Sequence, residues 1–412
     1  MILAYEACWP GTVHVTVNSA ILQIMARAFP TQSIRVLADP SHLRELQRDP
    51  FLASSPALSF APAGLSRHYR YRTNIVSLRR FLHEFRTLAA ALRRMPAGEP
   101  LLIVLLSATP TAIFAASALA RLRGGGCRVQ VVLHGNLNDL QGWRPRNPVL
   151  RSLDLKTALE AGHGGRVRFL VLEAGIHRAL ARLSPRAAAQ TDVLPHPVSP
   201  VEAAIVAPPP ASPPLRVGFV GMATPDKGID LFLDIARDMR ARHGDRVAFY
   251  LVGSAREGTD PASFAPLAHP VDFGLLSRED FTARLAMLHY VMLPFQAGYY
   301  TLSASGGLID AITWLKPILA TRTPTVEDMF AGYGDIGVLC DDADGLRMAL
   351  ETTLAEGIGD RYAGRVGAMH RLRDSRMPET LSRQYHALTR AHFPAMPDHR
   401  DSAFRVLRPT DP

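Results

Sequence analysis

Gly218-Phe219-Val220-Gly221-Met222-Ala223-Thr224-Pro225-Asp226-Lys227-Gly228 is the stretch on which the fold turns. An apolar run of strand character enters a glycine, and a lysine stands six residues later where a helix starts. A strand that feeds a helix this way brings an ammonium group and helix N-terminal amides into one crevice, which suits a phosphate. A solvated lysine at a helix start is the plain alternative, since lysine is ordinarily exposed.

Downstream of that stretch the chain keeps a regular beat. Strand character is read at Leu215–Gly221, Val247–Gly253, Pro270–Phe273, Tyr290–Pro294, Pro317–Thr321 and Gly337–Cys340. Helical periodicity is read at Asp230–Arg242, Ser277–His289, Gly306–Trp314 and Asp342–Glu356. Ser277 with Asp280 makes a capping-box-like start for the second of these helices. Six strands with helices between them predict a doubly wound sheet, whose ligands lie beyond the strand C-termini.

Upstream, Met1–Glu6, Ser33–Ala38, Leu101–Ser107, Arg128–His134 and Arg168–Leu172 read as strands, again alternating with amphipathic segments. That alternation predicts parallel strands covered by helices on both faces. The most apolar run, Leu101–Leu119, is split by Pro110 and its polar neighbours into a buried strand and a helix that ends at Gly124–Gly126. It is therefore not read as a membrane span. Between the halves, Ala-Pro-Pro-Pro-Ala-Ser-Pro-Pro marks a linker, because proline-rich sequence favours extended structure. The expected organisation is a domain over residues 1–199, a linker over 200–214, a second domain over 215–375 and a helical tail over 376–412. The tail is expected to pack back on the first domain.

Composition narrows the class less than the rhythm does. The 412 residues exceed what one core usually serves. With 47% hydrophobic and 20% charged residues the chain is an ordinary globular protein rather than a disordered one. The formal charge of +9 suits nucleic acid, an anionic membrane or nucleotide diphosphates equally. Cys8, Cys127 and Cys340 lack metal-ligand spacing and read as buried apolar fillers in a reducing compartment. Met1–Pro10 has neither a basic start nor a long apolar core, so no signal peptide is expected there.

A second site segment is Ser303-Ala304-Ser305-Gly306-Gly307-Leu308-Ile309-Asp310-Ala311. Its small residues let a ligand reach backbone amides at a helix N-terminus. Asp310, one turn further, can accept hydrogen bonds from vicinal hydroxyls as carboxylates do from ribose.

Taken together, the strand–Gly–x5–Lys-Gly order, Leu251-Val252-Gly253, Asp272-Phe273-Gly274 and Ile309-Asp310-Ala311-x4-Lys316-Pro317-Ile318-x-Ala320-Thr321 resemble the donor domain of retaining GT-B glycosyltransferases. More narrowly they resemble family 4, which includes enzymes of bacterial polysaccharide assembly. The resemblance is good over about residues 215–342 and loose over the first half. It implies an α/β GT-B architecture of two Rossmann-like domains facing each other across a cleft.

The resemblance also implies roles. Lys227, beyond Gly221, matches the lysine on the donor diphosphate, and Ser303, Ser305, Gly306 and Gly307 match the loop whose amides hold it. Asp310 stands where a ribose-binding acid, normally glutamate, is found. Phe273 and Gly274 fall where the base is flanked. In the first domain Gly11 and Thr12, in Gly11-Thr12-Val13-His14-Val15, resemble the loop that closes over the donor. His134 resembles a histidine near the transferring sugar, so Lys227 and His134 are the candidate catalytic residues. Two positions depart from the pattern: Met222 stands where arginine comes after the strand glycine, and Leu302 where the first of two glutamates falls. Arg256, after Val252-Gly253, is the candidate for the missing diphosphate contact.

By the same resemblance the chain is expected to be a hexosyltransferase, retaining and metal-independent, with no cofactor. Its donor would be a nucleotide diphosphate sugar and its acceptor a glycan or lipid-linked hydroxyl. No Asp-x-Asp metal pair is convincing, since Asp341-Asp342-Ala343-Asp344 reads as a helix start. The expected place is the cytoplasm, peripheral to the inner membrane. Arg67-His68-Tyr69-Arg70-Tyr71-Arg72 precedes a helix with Leu78, Phe81, Leu82, Phe85, Leu88, Ala89 and Leu92 on one face and Arg79, Arg86 and Arg93 on another. Core packing with a solvated basic face is the first reading of that helix. Contact of the basic face with anionic lipid is the second.

Rival classes lack their signatures. The Gly-x-Gly-x-x-Gly of dinucleotide-dependent oxidoreductases and the Gly-x4-Gly-Lys-Ser/Thr of P-loop enzymes are both missing. Nucleic-acid binding would explain the charge and nothing else. A sugar-nucleotide epimerase shares the architecture and would differ in its products. A degenerate transferase serving as a binding or assembly subunit is the reading that Met222 and Leu302 favour.

Overall fold

Burial of both faces is what the continuous apolar strands demand, and the computed structural model answers it with two separate parallel sheets. It describes residues 1–65, 74–96, 98–107, 109–142, 144–200, 209, 212–274, 276–296 and 298–396. The basic-aromatic run at 67–72 and most of the 200–214 linker lie outside the described residues. The chain divides into two compact units, Met1–Pro197 with the chain from Pro378, and Val198–Met377.

In unit 1 the strands are β1 (Ile2–Glu6), β2 (Ile34–Ala38), β3 (Leu58–Pro62), β4 (Leu101–Ser107), β5 (Cys127–Val132), β6 (Val167–Val171) and β7 (Thr191–Val193). They lie in the order β3-β2-β1-β4-β5-β6-β7, all parallel. The order reverses between β1 and β4, so the C-terminal ends of those strands flank a switch point. β4 is buried at every residue. Pro110 occupies the first turn of the Pro110–Arg123 helix, where its missing N–H costs nothing, and Thr109 caps the Ala112 amide at 3.1 Å. Gly124 closes that helix.

The Pro378–His392 helix belongs to unit 1. It lies against the Val15–Ala28 helix, and the buried Tyr385 hydroxyl donates to Gln130 Oε1 at 2.6 Å. Glu379 pairs with Arg27, and Gln384 donates to the Val193 carbonyl at 3.2 Å.

The Leu78–Leu92 helix corrects the expectation for its apolar face. Its buried residues are Arg80, Glu84, Leu88, Ala91 and Leu92, whereas Leu78 is 52% and Leu82 46% exposed. The reason is an internal ion pair. Arg80 Nε donates to Glu84 Oε1 at 3.0 Å, Thr109 Oγ1 adds a bond to the same carboxylate at 2.7 Å, and Arg80 Nη1 reaches the Ile75 carbonyl at 3.2 Å. Desolvation raises the Glu84 pKa while the guanidinium opposes the rise. A charged pair hydrogen-bonded through Glu84 Oε1 in this way can be buried in place of leucine.

In unit 2 the strands are β8 (Leu215–Val220), β9 (Val247–Val252), β10 (Tyr290–Leu293), β11 (Ile318–Thr321) and β12 (Gly337–Cys340), in the order β12-β11-β10-β8-β9 and all parallel. Residues 270–273 form no strand, against expectation: Pro270 has no N–H to give, and Asp272 contributes one carbonyl bond, accepted from the Ala255 amide at 2.9 Å. The Arg278–Met287 helix is capped by Ser277, whose Oγ accepts from the Asp280 amide at 3.0 Å and donates to its carboxylate at 2.7 Å. Asp342 caps the Ala343–Glu356 helix, so the acidic run there is a helix start. Lys316 is buried and donates to the Ala286 carbonyl at 2.8 Å, capping the end of the Arg278–Met287 helix, and burial lowers its pKa to about 8. Among the described residues no helix is long and apolar enough to cross a membrane.

Candidate functional site

In unit 2 the strand order reverses between β8 and β10, and the candidate residues gather at the C-terminal ends of those two strands. Beyond Val220 the chain passes through Gly221 into a single turn, Pro225–Lys227, and then into the Ile229–His243 helix. The turn is held against β10 at Gly228. A β-carbon there would lie 1.8 Å from the Pro294 carbonyl oxygen, and its φ of +83° disfavours any other residue.

Lys227 folds back over the strand end. Its Nζ lies 3.8 Å from the point where a β-carbon on Gly221 would sit. The side chain is half-buried, and burial alone holds its pKa below the ordinary lysine value. Among the described residues no carboxylate pairs with it. A partly desolvated ammonium with no counter-charge among the described residues is stabilised by an anion that enters.

The second wall is the Gly306–Thr313 helix. A β-carbon on Gly307 would come within 2.7 Å of the Val220 carbonyl oxygen, so this helix start abuts the same strand end that Lys227 covers. Ser305 Oγ accepts from the Leu308 amide at 3.3 Å, capping the helix, and Ser303 is buried. The amides of Gly306 and Gly307 donate to no described residue. Lysine ammonium and helix-start amides thus converge on one strand terminus, as a phosphate requires.

Asp310 lies one turn along the same helix. Desolvation raises its pKa to about 6, against the pull of the Arg278 guanidinium. Arg278, on the first turn of the Arg278–Met287 helix and over the Phe281 ring at 5.3 Å, is a neighbour that sequence reasoning does not supply. Thirty-two positions separate it from Asp310, and no motif signals the pairing.

The remaining unit 2 candidates divide. Arg256 is exposed, on a loop that the Ala223–Ala255 bridge sets beside the 222–224 segment. Gly274 is exposed, whereas Phe273 packs against the core. Met222 is 47% exposed and Leu302 1%. Thr224 Oγ1, on the Lys227 loop, is buried with no hydrogen-bond partner among the described residues, and nothing in the sequence singles it out as a site residue.

Unit 1 carries Gly11, Thr12 and His134. Gly11 donates to Ser41 Oγ at 2.9 Å and its carbonyl meets His42 Nδ1 at 2.9 Å, while Thr12 is exposed. His134 stands just past β5, its Nδ1 3.2 Å from the Nδ1 of His14. Desolvation and the neighbouring ring of His196 lower the His134 pKa to about 3, so the ring is neutral at physiological pH. The same unit has a cavity of about 350 Å³ at the start of the Pro110–Arg123 helix, with Ile75, Leu140, Arg144 and Lys156 in its wall. Among the described residues no group of three or more His, Cys, Asp or Glu is arranged to hold a metal ion.

No protein-family profile matches the chain, and no curated protein does. Solved structures do. A Rickettsia africae glycosyltransferase aligns at a TM-score of 0.64 and 10% identity, over 95% of this chain and 98% of that one. An Escherichia coli trehalose-6-phosphate structure bound with UDP-2-fluoro glucose aligns at 0.61 and 11%, over 94% and 98%. Staphylococcus aureus TarM, crystallised with UDP, aligns at 0.50 and 13%, over 75% of this chain; there the match spans only 58% of TarM. These neighbours are GT-B glycosyltransferases, and the α/β fold of this chain, with its two parallel sheets, is theirs. At such identities the likeness is one of fold.

Proposed function

We propose that the chain is a glycosyltransferase that moves a sugar from a nucleotide diphosphate sugar to a hydroxyl of a glycan or lipid-linked acceptor, in surface polysaccharide assembly. The observation that carries this reading is the half-buried Lys227 ammonium, with no counter-charge among the described residues, at the strand end that the Gly306–Thr313 helix start also meets. A diphosphate leaving group gains negative charge as its bond to the anomeric carbon breaks. Fixed cations and amides stabilise that charge without reorganising.

In this reading Lys227 and the Gly306 and Gly307 amides hold the diphosphate, Thr224 Oγ1 and Arg256 add donors where Met222 supplies none, and Asp310 accepts from the ribose hydroxyls. On unit 1, His134 offers its Nε2 edge to a sugar hydroxyl. The acceptor oxygen bonds to the anomeric carbon with retained configuration, and its proton leaves with the nucleoside diphosphate. No metal is needed for that charge balance. The test is to incubate the protein and Lys227→Ala with labelled UDP-, GDP- and ADP-sugars and membrane or glycan extract, with EDTA throughout. Transfer into a lipid or polymer fraction by the wild type alone supports the reading. Nucleotide binding without transfer from any donor would favour the second reading, a binding subunit, which the charge lost at Met222 and the buried Leu302 support.

The place of work in this reading is the cytoplasmic face of the inner membrane. The Leu78–Leu92 helix exposes Leu78 and Leu82 beside the exposed Arg79, Arg86 and Arg93, the pattern of a helix lying in an anionic lipid surface. Vesicles with phosphatidylglycerol should retain the protein at low salt, and Arg79→Glu with Arg86→Glu should release it. Equal retention on phosphatidylcholine would count against an electrostatic contact.

A further inference from the structure

His14 and His134 are 120 positions apart in the chain and meet nitrogen to nitrogen, Nδ1 to Nδ1 at 3.2 Å, with ring centroids 4.3 Å apart. Two imidazole nitrogens at that distance attract only if one carries a proton and the other a lone pair. Desolvation lowers the pKa of both rings, to about 2 for His14, where His134 and His42 add repulsion, and to about 3 for His134, where His196 adds it, so near neutrality the pair is uncharged and one proton lies between them.

The backbone that delivers His14 is held unusually firmly. Glu6, fully buried at the end of β1, accepts from the amides of Cys8 at 2.9 Å and Trp9 at 3.1 Å, from Asn18 Nδ2 at 2.9 Å and from Ser107 Oγ at 2.7 Å. Asn18 Nδ2 also lies 3.0 Å from His42 Nε2, which must therefore be an acceptor. That leaves the proton of His42 on Nδ1, where it donates to the Gly11 carbonyl. Asp39 fixes Ser41, and Ser41 holds the Gly11 amide. Out of this anchored loop His14 emerges at φ 61° and ψ 9°, a left-handed conformation that costs a non-glycine residue roughly 1 kcal/mol or more. The Trp9 ring, 4.6 Å from that of His14, closes its other side.

We infer that His14 is a positioning residue for His134: it occupies Nδ1, fixes the ring plane and tautomer, and leaves Nε2 as the edge available to a ligand. Among the described residues Nε2 of His134 takes no hydrogen bond. His196 flanks the ring at 5.5 Å, with its own Nδ1 committed to the Pro197 carbonyl at 2.8 Å. That a ligand hydroxyl meets Nε2 rests on the function proposed above; the tautomer lock does not.

The experiment is ring ¹⁵N NMR of the full chain labelled on histidine, at pH 7.5, assigned with His134→Phe. The wild type should show opposite Nδ1 states for His14 and His134, one protonated and one bare. Finding both rings bare, or both protonated, at Nδ1 overturns the inference without any variant. His14→Leu should let His134 exchange between tautomers, and His14→Asn should restore a single one, because asparagine tolerates the left-handed conformation and places a polar atom where Nδ1 stood. An unchanged His134 tautomer in folded His14→Leu also overturns it. Addition of UDP-glucose and GDP-mannose separates the two ideas: Nε2 unmoved by either, with the lock intact, removes the ligand role of His134 and leaves the positioning in place.

Discussion

Gly307 and the carbonyl of Val220 approach so closely that a β-carbon on the glycine would lie 2.7 Å from the oxygen. Real β-carbons do not sit that near a backbone oxygen, so Gly307→Ala must push the helix start away from the end of β8. We expect nucleotide affinity to fall at least tenfold, with the circular dichroism spectrum unchanged. Gly306→Ala is the matched control, because a β-carbon there meets nothing within 4 Å. Wild-type affinity in Gly307→Ala would remove the helix start from the binding site.

Asp310 makes unit 2 sensitive to pH in a definite direction. Its folded pKa is raised from 3.8 to about 6, so on acid titration the folded state takes up the proton first. Between roughly pH 4 and 6 the folded state holds more protons than the unfolded one, and stability falls as pH rises. Above about pH 6 the full cost, on the order of 1–3 kcal/mol, is present. Asp310→Asn should therefore raise the melting temperature above pH 6 and leave it unchanged below pH 4. Nucleotide binding should run the other way, strengthening in the wild type as pH rises through 6, because the ionised carboxylate is the better acceptor for hydroxyls. A flat affinity profile in the wild type would remove Asp310 from the ribose.

Arg80 and Glu84 should behave as a unit. Removing one partner strands a buried charge, so Arg80→Ala or Glu84→Ala should each cost roughly 3–5 kcal/mol in chemical denaturation. The Arg80→Met, Glu84→Leu double variant should cost clearly less than either single. Additive losses would show that the pair is not coupled.

How much of this is legible in the sequence depends on how local each signal is. β4 and β10 are short apolar runs buried at every residue, and β5 and β8 are buried at all but Arg128 and Arg216, with valines enough to announce them. β3, with Ser59 and Pro62 in a half-exposed edge position, and the three-residue β7 carry too little pattern to be seen. Residues 270–273 look like a strand because Val271 and Phe273 are apolar, but the packing of those side chains on the core needs no ladder. The Leu78–Leu92 periodicity is real, yet pattern alone misassigns its buried side, since it takes a leucine to be better buried than an arginine–glutamate pair. The Lys227 and Gly307 segments stand out because each is a strand-to-helix junction in one stretch of sequence. Arg278 beside Asp310, and His14 against His134, join residues that only the folded chain brings together.

The central claim, that unit 2 holds a nucleotide diphosphate at the ends of β8 and β10, is tested most directly by calorimetric titration of UDP, GDP and ADP into the wild type and Lys227→Ala, with EDTA present. We predict saturable one-to-one binding of at least one nucleotide to the wild type, weakened tenfold or more in Lys227→Ala. Absence of binding by all three to folded wild type, or unchanged affinity in Lys227→Ala, would contradict it.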